Sequence, residues 1–377
     1  MTHFPQPLTP NPQPRLCRRG ISLLEVLISM GVLAVGIMGV AALIPAGRFE
    51  ILQGAKADHA GMIGRAAFRE IKVRGYLNPD NWVDSTGVKA FDPNNPGFVQ
   101  PFYSPRWLAE PGPLPAVTPS PTPDLAVAID PLGLAEGFVE FPKKAIRGNV
   151  ALYRIYPHAS FVFLQPFIFP MRPLAETKAL ADPIFRNGDD LVFTASTTKN
   201  APPVQQMMGS SAKRASQGDY SWLATIVSDP TPPAPPRPAS YATTGKVVVS
   251  VAVFYKRNFA VGPPSNTALG ETVVPNVTFP GSGIGGGEVQ LNFSPATIKA
   301  MKPGQWLMLA GHRRDIFTGK FLNYFRWYRV VAADVVIGTT QNVTLTGPDW
   351  DTNLNTQAWI FDGVIAVFEK NMRLELP

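Results

Sequence analysis

The sequence predicts an α+β protein in which a long N-terminal transmembrane and spine helix is followed by a large, mainly antiparallel β-rich headgroup. Three observations carry this prediction. The first is an apolar run of 24 residues, Ile21 to Ile44, whose only charge is Glu25. The second is the abundance of chain breakers, 40 prolines and 32 glycines among 377 residues, which disfavours a long helical bundle and suits short strands joined by turns. The third is a charged fraction of only 16% beside 45% hydrophobic residues. Typical soluble domains hold roughly 25% charged residues, so part of this chain requires surroundings other than water.

Residues 1–20, MTHFPQPLTPNPQPRLCRRG, contain no acid and end in Arg15, Arg18 and Arg19, directly before the apolar run. At about 1.5 Å per residue a helix of that length reaches roughly 36 Å, enough to cross a bilayer. Arginines on one flank predict that the first 20 residues stay in the cytoplasm and that the chain beyond about Pro45 is exported. A cleaved secretory signal has an apolar region of about 7–15 residues and a small-x-small site, which this run exceeds. A twin-arginine export signal would use Arg18 and Arg19, but a segment so hydrophobic, carrying Glu25, suits it poorly. An ordinary signal anchor fits the length and flanks yet leaves Glu25 unexplained. A carboxylate in that setting costs up to about 2.5–3.5 kcal/mol on insertion scales and marks a function or a partner.

The segment Arg18-Arg19-Gly20-Ile21-Ser22-Leu23-Leu24-Glu25-Val26-Leu27-Ile28 resembles the prepilin processing motif of type IV pilins and type II secretion pseudopilins. The resemblance implies cleavage between Gly20 and Ile21 by the prepilin peptidase, which also methylates the new amine of Ile21. Glu25 then becomes the fifth residue of the mature chain. The wording of the apolar run is similar to minor pilins of the pilus modification protein type, and secondarily to minor pseudopilins. The large tip pseudopilin usually lacks an acid at the fifth mature position, so Glu25 argues against that role. Major pilins often close a C-terminal loop with a disulfide, and the lone Cys17 departs from that pattern in favour of a minor subunit. The physics agrees with the resemblance. Gly20 leaves room for a protease backbone at the scissile bond, and the Ile21 amine stays cationic after methylation. At about 4 Å and an effective dielectric near 20, the Glu25 carboxylate of one subunit and the amine of the next attract by roughly 4 kcal/mol before desolvation.

The implied partners are the prepilin peptidase/methyltransferase, other pilin or pseudopilin subunits, an inner-membrane assembly platform and membrane lipid. The implied location is single-pass in the inner membrane with a cytoplasmic N-terminus and a body exported to the periplasm or a cell-surface filament. The protein reads as a substrate of processing and a structural subunit, not an enzyme. An adhesin or ligand-binding module displayed on a filament is the competing reading, and no cofactor is implied.

Five segments follow from the pattern: a leader at 1–20, a membrane and filament-core helix at 21–46, an amphipathic continuation at 47–75, a Pro-rich loop region at 76–148 and a β-rich headgroup at 149–377. In the continuation, Phe49, Leu52, Ile63, Ala67 and Ile71 recur at helical spacing against Arg48, Glu50, Lys56, Asp58, Arg65, Arg69 and Lys72. Gly75 sits in the helix-stop position, Gly54, Gly61 and Gly64 each weaken the helix by about 1 kcal/mol and mark where a break would fall, and Pro45 is a candidate kink or end of the span; together the two parts are expected to form the long spine helix that the resemblance implies. Ten prolines fall in 91–123 and six in Pro230–Pro238, both read as loops. Strands are expected at Val150–Tyr156, Phe161–Phe169, Leu191–Ala195, Trp222–Val227, Val247–Tyr255, Val289–Phe293, Trp306–Leu309, Phe325–Ala332, Val343–Thr346 and Trp359–Phe368. Weak alternation in Val247–Tyr255 suggests burial on both faces. Arg326, Trp327, Tyr328 and Arg329 read as a strand with one wet face.

Reactive motifs are sparse. Gly281 to Gly286 satisfies GxGxxG but precedes a strand-like run, which makes it a hairpin loop. Asp349, Asp351 and Asn353 begin like a calcium loop but lack its glycine and distal glutamate, so an Asx-rich turn is the better reading. His3, His59, His158 and His312 have no metal spacing. Lys256-Arg257 and His312-Arg313-Arg314 are expected to be solvated loop charges. The formal charge of +7 falls to +4 once Arg15, Arg18 and Arg19 leave with the leader, and no nucleic-acid partner is expected.

Overall fold

The computed structural model describes residues 22–78, 81–83, 126–136, 138, 153–157, 181, 184–186, 191–193, 214–216, 218–228, 246–262, 267–314 and 321–375. The chain divides into two compact units, Met1–Ala55 and Lys56–Pro377. One helix, α1 (Leu23–Val73, 51 residues), runs through the boundary with Pro45 inside it. The segments 21–46 and 47–75 form one element, the long helix that was expected, and Gly54, Gly61 and Gly64 do not interrupt it. Its end is set where the sequence placed it. Gly75 adopts φ +63°, the Tyr76 amide donates to the Ile71 carbonyl at 3.0 Å, and the Gly75 amide donates to the Lys72 carbonyl at 3.4 Å. This is the Schellman pattern, which satisfies carbonyls that a helix end otherwise strands.

After α1 come β1 (Trp82–Val83), β2 (Ala126–Ile129), the short α2 (Pro131–Ala135), β3 (Tyr153–Pro157), β4 (Leu191–Phe193), β5 (Arg214–Ser216), β6 (Tyr220–Ser228) and β7 (Lys246–Tyr255). They are followed by β8 (Val261–Gly262), β9 (Thr267–Ala268), β10 (Glu271–Val274), β11 (Asn276–Thr278) and β12 (Gly286–Asn292). The last strands are β13 (Trp306–Arg314), β14 (Phe321–Ala333), β15 (Thr340–Thr346), β16 (Asn355–Phe361) and β17 (Val364–Arg373). The segment 76–148, read as a Pro-rich loop, therefore also holds β1, β2 and α2. The expected strand Phe161–Phe169 and both proline blocks lie outside the described residues.

A first sheet has the order β1-β3-β2-β6-β7-β17, and a second has β10-β16-β13-β14-β15-β12-β11. Every pairing is antiparallel except β2 with β3. The second sheet closes on itself. Val274 ends the pairing of β10 with β16, Asn276 begins the pairing of β11 with β12, and only Pro275 separates them. A proline has no amide to give to a ladder, so it suits the point where one partner strand is exchanged for another. The two ends of the strand order are thus one bent strand, and the sheet forms a six-stranded barrel filled by side chains such as Val289, Leu307, Leu309 and Val330.

Packing then follows from parity along the strands. Val249, Val251 and Val253 of β7 meet Ala60, Ile63, Ala67 and Ile71 of α1, while Ala252 and Phe254 on the other face of β7 meet Met308, Trp327 and Phe361 of the barrel. Burial of β7 on both faces agrees with its weak alternation. On β14, Trp327 faces the first sheet and Tyr328 the barrel interior, and Arg326 is buried and paired with Glu369 at 3.3 Å. The expected wet face is therefore limited to exposed Arg329 and positions near the strand end.

The expected strand Trp359–Phe368 is in fact two. Asp362 and Gly363 turn the chain from β16 in the barrel to β17 in the first sheet. Gly363 has φ +80° and the Tyr255 amide donates to its carbonyl at 2.7 Å, so glycine meets both a left-handed backbone and a close approach. Because β17 pairs with β7, the whole barrel is inserted in the connection between two neighbouring strands of the first sheet.

Gly64 is buried, and a Cβ added there would collide with the Phe368 ring of β17, whereas one added at Gly61 would meet nothing within 4 Å. Gly61→Ala is expected to raise stability by up to about 1 kcal/mol through helix propensity. Gly64→Ala is expected to lower it by up to about 2 kcal/mol, because an overpacking cost of about 1–3 kcal/mol outweighs the same propensity gain. Thermal unfolding of the two variants in detergent checks the opposite signs.

Candidate functional site

The first candidate is the start of α1. Ser22 is the N-cap: its Oγ accepts the Glu25 amide at 3.2 Å, and its carbonyl accepts the amides of Glu25 at 3.0 Å and Val26 at 3.2 Å. Ser-x-x-Glu is the residue order of a capping box, a signal legible in the sequence. Glu25 stands exposed in the first turn, where a negative charge gains about 0.3–1 kcal/mol from the helix dipole. Ser29 Oγ donates to the Glu25 carbonyl at 2.7 Å, so both serines bracket this residue. Large apolar side chains from Leu23 to Ile44 are exposed around the whole circumference. Among the described residues this is one helix long and apolar enough to span a membrane. Gly20, Ile21, Arg15, Arg18 and Arg19 lie outside the described residues.

The second candidate, Asp349, Asp351 and Asn353, is occupied by the fold itself. Asp349 Oδ1 accepts the Gly285 amide at 2.8 Å, and Asp351 Oδ1 accepts both the amide and the Nδ2 of Asn353 at 3.0 Å. The Gly283 carbonyl accepts the Trp350 amide at 2.9 Å and the Gly285 carbonyl accepts the Gly347 amide at 3.0 Å. The glycine-rich loop, a hairpin between β11 and β12, and the Asx turn therefore brace each other at one end of the barrel. Among the described residues no group of three or more His, Cys, Asp or Glu side chains is placed to hold a metal ion.

The third site is one that sequence reasoning missed. Arg257, expected among solvated charges, has a side chain only 2% exposed. Its Nη1 and Nη2 donate to the two carboxylate oxygens of Asp130 at 2.8 and 2.6 Å, and Nη2 also reaches Glu271 at 3.3 Å. Arg154 Nε donates to Asp130 Oδ2 at 2.9 Å, and Arg154 Nη2 donates to Glu271. Asp130 Oδ1 additionally accepts the Gly133 amide at 3.1 Å, capping α2, which begins with Pro131. Two cations and two anions thus neutralise each other, under the rings of Phe254 and Phe259 at 4.7 and 5.0 Å from the Arg257 guanidinium.

Burial alone pushes the Asp130 carboxyl up, but the guanidinium charges and hydrogen bonds of Arg257 and Arg154, with the Gly133 amide, overcome it and hold Asp130 well below the usual carboxylate range. Burial pulls Arg154 down, and the Glu271 and Asp130 charges reverse it, so its guanidinium is held above its ordinary value. The inward turn of Arg257 comes from Lys256, whose φ of +53° is the only positive value among described non-glycine residues. Its amide donates to the Asp219 carbonyl at 2.5 Å, while its own side chain stays exposed as expected. Arg154 lies on the first sheet and Glu271 begins the barrel, so the cluster closes the seam between them. Being neutral and enclosed, it acts as a lock and offers no open side to a ligand.

Arg257→Ala is expected to cost about 3–5 kcal/mol, because it strands buried Asp130 and Glu271 with one cation. The wild-type contribution of Asp130 is complete above its unfolded value of about 3.9 and is lost progressively as pH falls below that toward its lower folded value. Melting temperatures measured from pH 7 to pH 3 check both statements. The acid-induced drop should be smaller in Arg257→Ala, where the depression of Asp130 is relieved.

In comparisons with known proteins, no family model and no curated protein matches the chain.

Proposed function

We propose that the chain is a prepilin-like subunit: a single-pass inner-membrane protein, cut between Gly20 and Ile21, methylated at Ile21 and built through α1 into a type IV pilus or related filament as a minor subunit. The observation that carries this reading is the segment Arg18 to Ile28 joined to the apolar helix that starts at Leu23, immediately after the proposed cut. Cleavage there creates a new cationic amine one residue before the Ser22 cap and four residues before Glu25 in the chain. The neighbouring subunit's amine then has an exposed acid to pair with, held by a helix start that Ser22 already satisfies. Prepilin peptidase, other pilin or pseudopilin subunits, the inner-membrane assembly platform and lipid are the partners this role requires. Service in a type II secretion filament uses the same chemistry.

A second reading, a filament-displayed binding module, is favoured by one observation. The barrel is inserted between adjacent strands β7 and β17, so the helix and first sheet form a scaffold to which the barrel adds a separate surface.

The decisive test is N-terminal mass spectrometry of the membrane-extracted protein. Methylated Ile21 is expected, and an intact Met1 or a start beyond Pro45 would defeat the reading. Glu25→Gln removes the charge that the proposed pairing needs and leaves the Ser22 cap on the residue-25 amide in place. This variant is expected to insert and be processed normally but to stop co-purifying with filament subunits. Ser22→Ala, which keeps the charge and weakens the cap by about 0.5–2 kcal/mol, is expected to reduce incorporation only partly.

A further inference from the structure

The two ends of the barrel differ in chemistry. At one end the glycine-rich loop exposes a single large apolar residue, Ile284, and is braced on a turn that carries the acids Asp349 and Asp351. At the other end β14 and β15 are joined by a hairpin with an aliphatic tip, Val335-Val336-Ile337, turned at Gly338 with φ +62°. Outside α1, Val335 and Ile337 are the most exposed of the described large apolar residues, at 82% and 77%. The loop between β12 and β13 is tied to the same hairpin at two points. The Phe293 amide donates to the Thr339 carbonyl at 2.8 Å, and the buried Gln341 side chain bonds both the amide and the carbonyl of Met301, at 2.8 and 2.9 Å. Ile298, between these two ties, is exposed as well.

We infer that this hairpin tip enters the headgroup and upper acyl region of a phospholipid bilayer. The backbone of the tip is prepared for an apolar medium. Ile337 and Thr340 exchange amide-to-carbonyl bonds at 2.9 and 3.0 Å, the Asp334 amide donates to the Asn342 carbonyl at 2.9 Å, and the Asp334 carbonyl accepts Gln341 Nε2 at 2.9 Å. Polar groups satisfied within the segment are what entry into hydrocarbon demands. The shape fits as well, because aliphatic side chains this exposed project from a convex turn, and fluid acyl chains close around a projection without a preformed cavity. The chain also carries its own route to a membrane: α1 is long and apolar enough to span one, and a tethered tip meets lipid at high effective concentration, so few aliphatic side chains suffice. Exposed charges behind the tip balance, Lys302 following Met301 and Asp334 at the hairpin base, while Lys299 is paired with Asp362. Contact therefore depends on apolar insertion and not on lipid charge. The inference goes beyond the filament reading and uses only the span of α1, not cleavage at Ile21 or the charge of Glu25.

The test uses the full chain with Cys17→Ser and Ile337→Cys, so that one thiol at the tip carries the fluorophore NBD. The labelled protein is reconstituted into phosphatidylcholine vesicles, with and without phosphatidylglycerol, that contain lipid bearing a doxyl quencher on its acyl chain. Quenching is expected on both compositions and at low and high salt alike. Adding separate quencher vesicles to proteoliposomes without quencher distinguishes the chain's own bilayer from a facing one, and quenching from either supports the proposal. The same label at Ile284→Cys, at the opposite end of the barrel, is expected to remain unquenched. Val335→Asp and Ile298→Asp, each in the chain labelled at residue 337, are expected to lower the quenched fraction about tenfold or more. Circular dichroism melts confirm that each variant is folded, and a label at Val335→Cys repeats the measurement if Ile337→Cys is not. Absence of quenching from both sets of vesicles overturns the proposal. So does equal quenching at Ile284→Cys, quenching indifferent to both aspartate variants, or quenching confined to phosphatidylglycerol and abolished by salt. A blue shift that grows with protein density without quenching assigns the tip to a second copy of the chain and also overturns it. Processing at Ile21 is read separately, so the assembly reading and this one fail independently.

Discussion

Arg257 pins the start of the barrel to the first sheet at one fixed position. Its guanidinium joins Asp130, which follows β2, to Glu271, the first residue of the barrel, and Arg154 on β3 completes the same set. A buried guanidinium without partners would cost several kcal/mol, so the cluster is favourable only when all four groups are present together. That requirement makes it a specificity device. Misplacement of the barrel on the first sheet leaves at least one charge unpaired, whereas apolar side chains such as Phe254 and Phe361 tolerate small shifts. The left-handed backbone at Lys256 is strain accepted for this purpose, since it turns the chain out of β7 and drives the next side chain inward.

Around that lock the molecule is layered. The last turns of α1 lie on one face of the first sheet, and the barrel lies on the other. β7 belongs to both contacts and is apolar on each side. Close approach is controlled by glycine at two points: Gly64, where the helix meets Phe368, and Gly363, where β16 passes into β17. Insertion of the barrel between β7 and β17 explains how a scaffold of helix and sheet carries the additional residues 271–361 without losing its pairing. The scaffold strands are held together by the β7–β17 ladder whatever the inserted segment does.

The start of α1 obeys a different constraint. The first amides of any helix lack intrahelical acceptors, and Ser22 supplies one of them. Glu25 therefore has a reason to be where it is even in an isolated subunit, and its proposed pairing with a neighbouring amine is added to a local role. Glutamine keeps the size and polarity of the side chain and removes only its charge, which is why it is the more informative substitution.

The apolar run, the stop of α1 at Gly75, the β-rich character of the body and the double burial of β7 were legible in the sequence. Each depends on local periodicity or on one residue's backbone preference. The Asx turn at Asp351 was legible for the same reason. The closure of the barrel at Pro275, the division of Trp359–Phe368 at Gly363 and the burial of Arg257 were not. Propensity counts what a glycine or an arginine costs in isolation. Whether that cost is met is decided by packing against Phe368, by pairing of β17 with β7 in place of a longer β16, and by Asp130, 127 positions from Arg257 in the chain. Sequence by itself determined which segments are apolar, where the helix ends and what chemistry its first turn carries. Tertiary structure decided which charges are inside and which face of the barrel is left free, because those depend on partners that only folding brings together.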